Sequence, residues 1–320
     1  MSCLLYIVIP CYKEEEMLPE TGKRLHEKLS GYIKEGRISP ESRVLFVDDG
    51  STDRTWEKIC TLNREDELFT GIRLSHNRGH QNALLAGLMT AAERADVMIS
   101  MDADLQDDIN AMDEMLDRFC EGCEIVYGVR RKRDKDTFFK RATAEGFYRF
   151  MSALGVEIVF NHADYRLMSK RAVEALAEYK EVNLFLRGIV PLLGFKWTTV
   201  EYDRGERLAG ESKYPLRKMI AFALDGITSF SVKPIRLVLT CGCIVFAVSI
   251  LMILWTLITK LTGNAESGWS SLMCSIWLLG GLQLLGIGVI GEYIGKTYAE
   301  TKRRPRYIIS DILPDKNRKG

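Results

Sequence analysis

The sequence predicts an α/β domain built on a doubly wound sheet, followed by interfacial helices and two transmembrane helices. Short runs rich in Val, Ile and Leu alternate with amphipathic segments through the first half of the chain. Polar clusters recur at the carboxyl ends of those runs, and nearly all the long apolar stretches fall after residue 234. The 320 residues are 47% hydrophobic and 27% charged, enough for a sizeable core. With 44 basic against 43 acidic residues the net charge is +1, so no nucleic-acid partner is expected.

The expected strands are Leu4–Ile9, Arg43–Val47, Thr70–Leu74, Val97–Met101 and Ile125–Val129. The helices between them are Glu14–Lys34, Arg54–Leu62, Gln81–Arg94 and Ile109–Cys120. In such a sheet, ligands bind outside the carboxyl ends of the strands. Those ends carry Tyr12-Lys13-Glu14, Asp48–Asp53, Asn77–Gly79 and Asp102–Asp107, so one rim collects the polar residues. The apolar run at Leu4–Pro10 lacks a basic segment before it and a cleavage site after it, which argues against a signal peptide. Cys120 and Cys123 form a lone C-x-x-C with no neighbouring His, read as a reduced pair at a helix end.

Residues 213–232 place Leu216, Met219, Ile220, Ala223, Leu224, Ile227 and Phe230 at three- and four-residue steps, as a packed or an interfacial helix would. Leu237–Thr259 and Ser267–Gly291 are 23 and 25 residues without a charge, each exceeding the roughly 20 needed to cross a bilayer. Arg217, Lys218, Lys233 and Arg236 precede the first, and Lys296, Lys302, Arg303, Arg304 and Arg306 follow the second. Lys260 is the only basic residue of the loop between, so the N-terminal domain and the tail are both expected on the cytoplasmic side. The expected division is therefore 1–212 for the α/β domain, 213–233 for juxtamembrane helices, 234–295 for the two spans and 296–320 for a basic cytoplasmic tail. Gly280, Gly281, Gly286, Gly288 and Gly291 would permit close helix packing.

Asp102 and Asp104 alternate along a strand end, where a bend lets both carboxylates face one ion. Mg²⁺ sites use one or two carboxylates and complete the shell with water and substrate phosphates. Such an ion neutralises the charge of a leaving diphosphate. Asp48 and Asp49 are a second acidic strand end, whose mutual repulsion calls for a ligand, metal or donor. Arg130-Arg131-Lys132-Arg133 begins where the fifth strand ends, and guanidinium forks suit phosphate oxygens.

Taken together, Pro10-x-Tyr12-x-Glu14, Asp48-Asp49-Gly50-Ser51-x-Asp53, Asn77-x-Gly79-x-x-x-Ala83 and Asp102-x-Asp104-Leu105-Gln106-Asp107 resemble the signature set of glycosyltransferase family 2. Ala163–Met168, Glu206–Tyr214 and Gly291–Lys296 with Tyr298, Glu300, Lys302, Arg304, Pro305 and Tyr307 resemble its polyisoprenyl-phosphate branch, which includes bactoprenol glucosyltransferases and relatives of dolichol-phosphate mannose synthase. The resemblance runs from about residue 5 to 308. It implies a GT-A fold and an inverting, metal-dependent transferase using Mg²⁺ or Mn²⁺. The implied partners are a nucleotide sugar of UDP type, a polyprenyl phosphate lipid, the membrane and further copies of the chain.

Residue by residue, the resemblance places Asp102, Asp104 and Gln106 on the metal. Pro10, Tyr12, Glu14, Asp48, Asp49 and Asp102 would meet the donor nucleotide. Arg130, Arg131, Arg133, Arg166, Arg207, Ser212, Lys213 and Tyr214 would meet phosphates and the acceptor. Asp104 and Asp164 become the catalytic candidates, Asp164 as base. Lys13 departs from the family's usual Asn, Asp108 from Pro and Tyr165 from Phe. A phosphate monoester has a second pKa near 6, so a lipid phosphate hardly needs deprotonating. Asp164 is accordingly expected to orient the acceptor or Arg166 at least as much as to take a proton. The competing readings are a processive polysaccharide synthase, which lacks support because no Q-x-x-R-W motif is present, and an inactive membrane scaffold, against which Asp102, Asp104 and Asp164 argue.

Overall fold

A computed structural model describes residues 2–131, 162–181, 184–203, 233–261 and 268–314. They fall into two compact units: an α/β unit that includes the tail from residue 304, and a helical unit. The interfacial helix expected at 213–232 lies outside the described residues.

In the α/β unit, β1 (Leu5–Cys11), β2 (Arg43–Asp48), β3 (Phe69–Leu74), β4 (Val97–Ser100) and β5 (Ile125–Arg130) follow the apolar runs of the sequence. The helices between them are α1 (Leu18–Lys34), α2 (Thr55–Glu65), α3 (His80–Ala92) and α4 (Ala111–Cys120). Three further strands, β6 (His162–Ser169), β7 (Trp197–Tyr202) and β8 (Ile309–Ile312), complete one eight-stranded sheet in the order β7-β5-β6-β4-β1-β2-β3-β8. Two short helices, α5 (Lys170–Ala177) and α6 (Leu186–Leu192), follow β6. Strands β3, β2, β1 and β4 are mutually parallel, β6 runs antiparallel between β4 and β5, and β8 runs antiparallel along β3. The chain winds outward from β1 to β3 and then returns to place β4 on the other side of β1. That reversal opens a crevice between the ends of β1 and β4.

Both faces of the sheet are covered. Leu18, Leu25 and Leu29 of α1, Ile59 of α2 and Met112, Met115 and Leu116 of α4 pack against Ile7, Ile9, Phe46 and Ile99. On the opposite face α3 lies so close that a Cβ on Gly87 would come within 2.4 Å of Val8. A larger residue there would push the helix off the sheet, and with it His80 at the helix start.

The tail joins the sheet rather than trailing from it. Leu313 N–H donates to Gly71 O, Ser75 N–H to Ile308 O and Asn63 Nδ2 to Pro314 O, which pins β8 along β3 and α2. The sequence sets 296–320 apart as a basic extension because its strand is only four residues long and its neighbours are charged.

In the helical unit, α7 (Lys233–Leu261) and α8 (Trp269–Thr301) are 29 and 33 residues long. Gly286 is their close point, since a Cβ there would stand 3.2 Å from Val238 Cγ1. Leu239, Leu251, Trp255, Leu278, Leu284 and Ile287 point outward. Among the described residues one stretch, Leu278–Thr301, is long and apolar enough to cross a membrane.

Candidate active site

The crevice is lined by the strand ends that the sequence singles out. Pro10 is buried within β1, while Tyr12, just beyond it, is exposed, with the Lys13 ammonium over its ring at 5.5 Å from the centroid. Lys13 holds φ 57°, a left-handed backbone that costs a lysine about 1–2 kcal/mol and an asparagine less. That is the physical sense of the usual Asn at this position. The Lys13 N–H donates to Ser51 Oγ, and the N–H of half-buried Glu14 donates to Thr55 Oγ1, tying this turn to the end of β2.

Asp48 and Asp49 are both buried, and the chain itself supplies the donors that their repulsion demands. Asp48 Oδ1 accepts from Ser51 N–H at 3.1 Å, and its Oδ2 pairs with Arg73 Nε at 3.2 Å. Asp49 takes Arg78 N–H at 2.7 Å on one oxygen and Gly79 N–H at 2.9 Å on the other. Burial raises both carboxyls above their usual range, with these hydrogen bonds opposing it. Gly50 completes the turn: it sits at φ 64°, and a Cβ there would come within 2.5 Å of the His76 backbone. These acids thus build the floor under the Asn77–Gly79 loop.

The end of β4 is different. Asp102 lies among Asp104, Asp107 and Asp164, with His80 Nε2 3.7 Å from its Oδ1. Burial pushes its carboxyl up to about 6, His80 pulling the other way and the three carboxylates adding to the push. Asp104 Oδ1 accepts the Gln106 N–H across Leu105, which holds φ 54°, and Gln106 is itself buried. Among the described residues no three His, Cys or acidic side chains converge into a ready cage. Two carboxylates under mutual repulsion do fit a hard divalent cation that brings water and substrate phosphates of its own.

Asp164 is the third residue of β6, and Ser100 Oγ, at the end of β4, donates to its carbonyl at 2.6 Å. Its carboxylate receives Arg166 Nη2 at 3.0 Å and a two-pronged grip from Arg187, with His80 Nε2 3.6 Å from Oδ2. Burial would raise its pKa, but Arg187 and Arg166 outweigh it and hold the carboxyl well below the usual range.

The basic candidates divide. Arg130, at the end of β5, donates to Tyr202 Oη at 3.3 Å and lies 3.6 Å from Asp107. Arg131 is exposed and pairs with Glu201 and Asp203. Arg166, counted by the sequence among the phosphate ligands, is buried on Asp164. Arg133, Arg207, Ser212, Lys213 and Tyr214 lie outside the described residues. Sequence reasoning misses Arg187, Ser100 and Tyr202. For Arg187 a signal exists, since it is the one charge in the apolar run Leu184–Leu193.

Residues 6–177 match the model of glycosyl transferase family 2, and residues 233–297 match that of the GtrB C-terminal hairpin. The chain belongs to glycosyltransferase family 2. It is a transferase, and its mixed sheet is the Rossmann-like α/β sheet of the GT-A fold. An uncharacterized glycosyltransferase of Bacillus subtilis, YkoT, is 55% identical over 96% of this chain and 91% of its own length. The prophage bactoprenol glucosyl transferase homolog of Escherichia coli K12 is 40% identical over 96% of this chain and 98% of its own. The bactoprenol glucosyl transferase of Shigella phage SfV is likewise 40% identical, over 95% and 97%. Glucosyl-3-phosphoglycerate synthase from Mycobacterium tuberculosis matches at TM-score 0.46 and 16% identity, over 71% of this chain and 79% of that one.

Proposed function

We propose that this chain is an inverting, metal-dependent glycosyltransferase that moves a sugar from a nucleotide sugar of UDP type to a polyprenyl phosphate on the cytoplasmic face of a membrane. The observation that carries the reading is the placement of Asp102, with Asp104, Asp107 and Asp164 around it, at the crevice where the sheet reverses. Relatives that transfer glucose to bactoprenol, similar over nearly the whole chain, support the lipid acceptor.

A divalent ion held by Asp102 and Asp104, with Gln106 beside them, would neutralise charge on the departing diphosphate. Exposed Tyr12 offers a face for the base, above the floor built by Asp48 and Asp49. Arg130 supplies positive charge on the phosphate side of the rim. The lipid phosphate arrives largely anionic, and an in-line attack by its oxygen on the anomeric carbon needs positioning rather than a base. Asp164, with both oxygens receiving guanidinium N–H groups, is a poor proton acceptor and a good anchor.

The connectivity supports a membrane hairpin. The chain leaves the sheet after β7 and returns to it as β8, so the helices between must cross a bilayer an even number of times if they cross at all. Two spans with a cytoplasmic domain and tail satisfy this.

The deciding experiment incubates the full-length protein with polyprenyl phosphate, Mg²⁺ or Mn²⁺ and a panel of nucleotide sugars, and detects the lipid-linked sugar by mass spectrometry. One UDP-sugar is expected to give product of inverted configuration; no product from any donor defeats the reading.

A further inference from the structure

Two guanidiniums share a single carboxylate at the crevice. Arg187 grips Asp164 with a fork, Nε to Oδ1 at 3.1 Å and Nη2 to Oδ2 at 3.0 Å, and Arg166 adds Nη2 to Oδ1 at 3.0 Å. The arginines differ in exposure: Arg166 is 2% exposed and Arg187 33%.

The position of Arg187 is fixed from a second direction. The N–H of Leu186, its neighbour in α6, donates to Gln81 Oε1 at 2.8 Å. Gln81 follows His80, and His80 Nε2 stands 3.6 Å from Asp164 and 3.7 Å from Asp102. Arg187 therefore belongs to the same polar patch as the end of β4. Within this unit it is a partly exposed cation, held rigid, next to the carboxylate proposed for the metal.

We propose that Arg187 binds a phosphate oxygen at the reaction centre, with Asp164 as its fixed counter-ion. This rests on the reading of the chain as a polyprenyl-phosphate glycosyltransferase. Asp164 thereby gains a role that needs no proton transfer, because its carboxylate orients a phosphate ligand. The oxygen has two sources, the acceptor monophosphate and the donor diphosphate, and both match a planar guanidinium fork.

The test uses full-length Arg187→Gln, Arg187→Lys and Arg187→Ala proteins in detergent or lipid discs. Acceptor KM and kcat are measured by lipid-linked product, and the affinity for UDP is measured by calorimetry without acceptor. Arg187→Gln should lose about 100-fold in kcat/KM and melt at a lower temperature, because the fork on Asp164 is gone, and Arg187→Lys, which keeps the charge but not the fork, should fall between it and wild type in both. A raised acceptor KM with unchanged UDP affinity assigns the acceptor phosphate, and weakened UDP affinity assigns the donor. Recovery of Arg187→Ala by added guanidinium would support either assignment, because a scaffold defect is not cured that way. Should Arg187→Gln fail to fold, Arg187→Lys decides. The inference is overturned if kcat, acceptor KM and UDP affinity all stay within about twofold of wild type in the folded variants. Wild-type protein that glycosylates no polyprenyl phosphate defeats the functional reading instead, and the inference is then judged on UDP affinity alone.

Discussion

Two strand ends in this molecule carry adjacent acids, and they solve the same electrostatic problem in opposite ways. At the end of β2, Asp48 and Asp49 are buried: three of their oxygens accept the backbone N–H groups of residues 51, 78 and 79, and the fourth, Asp48 Oδ2, lies 3.2 Å from Arg73 Nε without a hydrogen bond. At the end of β4, Asp102 faces Asp104, Asp107 and Asp164, with His80 as its nearest basic group. The first pair is spent on holding a loop in place. On the proposed reading the second holds its charge for a cation, so that similar residues at the ends of parallel strands serve as scaffold in one case and as ligand in the other.

The comparison breaks most readily at Asp102. Asp102→Asn should lower transfer about 1000-fold, because the charge that holds the cation and through it the diphosphate is gone. The melting temperature without metal should hold or rise, since a repulsive charge has been removed. Mg²⁺ or Mn²⁺ should raise the melting temperature of wild type and leave this variant unmoved, as thermal denaturation would record. A variant that loses stability with activity would place Asp102 with the scaffold acids.

Asp49→Ala should show the reverse pattern. It orphans the N–H groups of Arg78 and Gly79, at a cost of about 2–3 kcal/mol measured by denaturant unfolding. The folded fraction should keep its metal response. If Asp49→Ala abolishes nucleotide binding without loss of stability, the carboxylate is a ligand and the contrast fails.

Asp164 combines the two behaviours, and acid separates them. Its folded pKa is depressed, so the stabilisation it draws from Arg187 and Arg166 is present above the unfolded value near 3.9 and is lost as pH falls toward the folded one. The stability gap between wild type and Asp164→Asn should therefore be largest near neutral pH and narrow below about pH 4. Transfer by Asp164→Asn should fall only about tenfold, short of the upper range for loss of a general base. A loss near 10,000-fold with intact stability would restore the base.

The parallel half of the sheet was legible because strands buried on both faces are written as apolar runs. Leu5–Cys11, Arg43–Asp48 and Phe69–Leu74 begin within a residue of where the sequence puts them. β6 was not, because His162–Ser169 interrupts its apolar residues with Asp164, Arg166 and Ser169, whose partners include Arg187 and Glu124 far along the chain as well as one another. β8 is too short and too exposed to leave a pattern. In the site, spacing within a loop revealed Asp102 and Asp104, whereas Arg187 belongs to the site through a contact between α6 and β6 that no local motif encodes. The fate of Asp48 and Asp49 also depended on loop geometry, above all on Gly50 lying against the backbone of residue 76.

The smallest effect tests the scaffold side of the comparison at Lys13. Its φ of 57° is a conformation that a lysine enters at some cost and an asparagine more readily, since the short amide side chain bonds locally. If the β1–β2 corner is scaffold, Lys13→Asn should stabilise the protein by about 0.5–1 kcal/mol, seen as a higher denaturation midpoint at unchanged slope. Its UDP affinity should stay near that of wild type if the Lys13 ammonium over the Tyr12 ring serves the corner alone, since the substitution keeps the backbone N–H on Ser51 and removes only that ammonium. A large gain or loss of UDP affinity would instead make the Lys13 side chain part of the nucleotide site and move the border between scaffold and ligand to the other side of Tyr12.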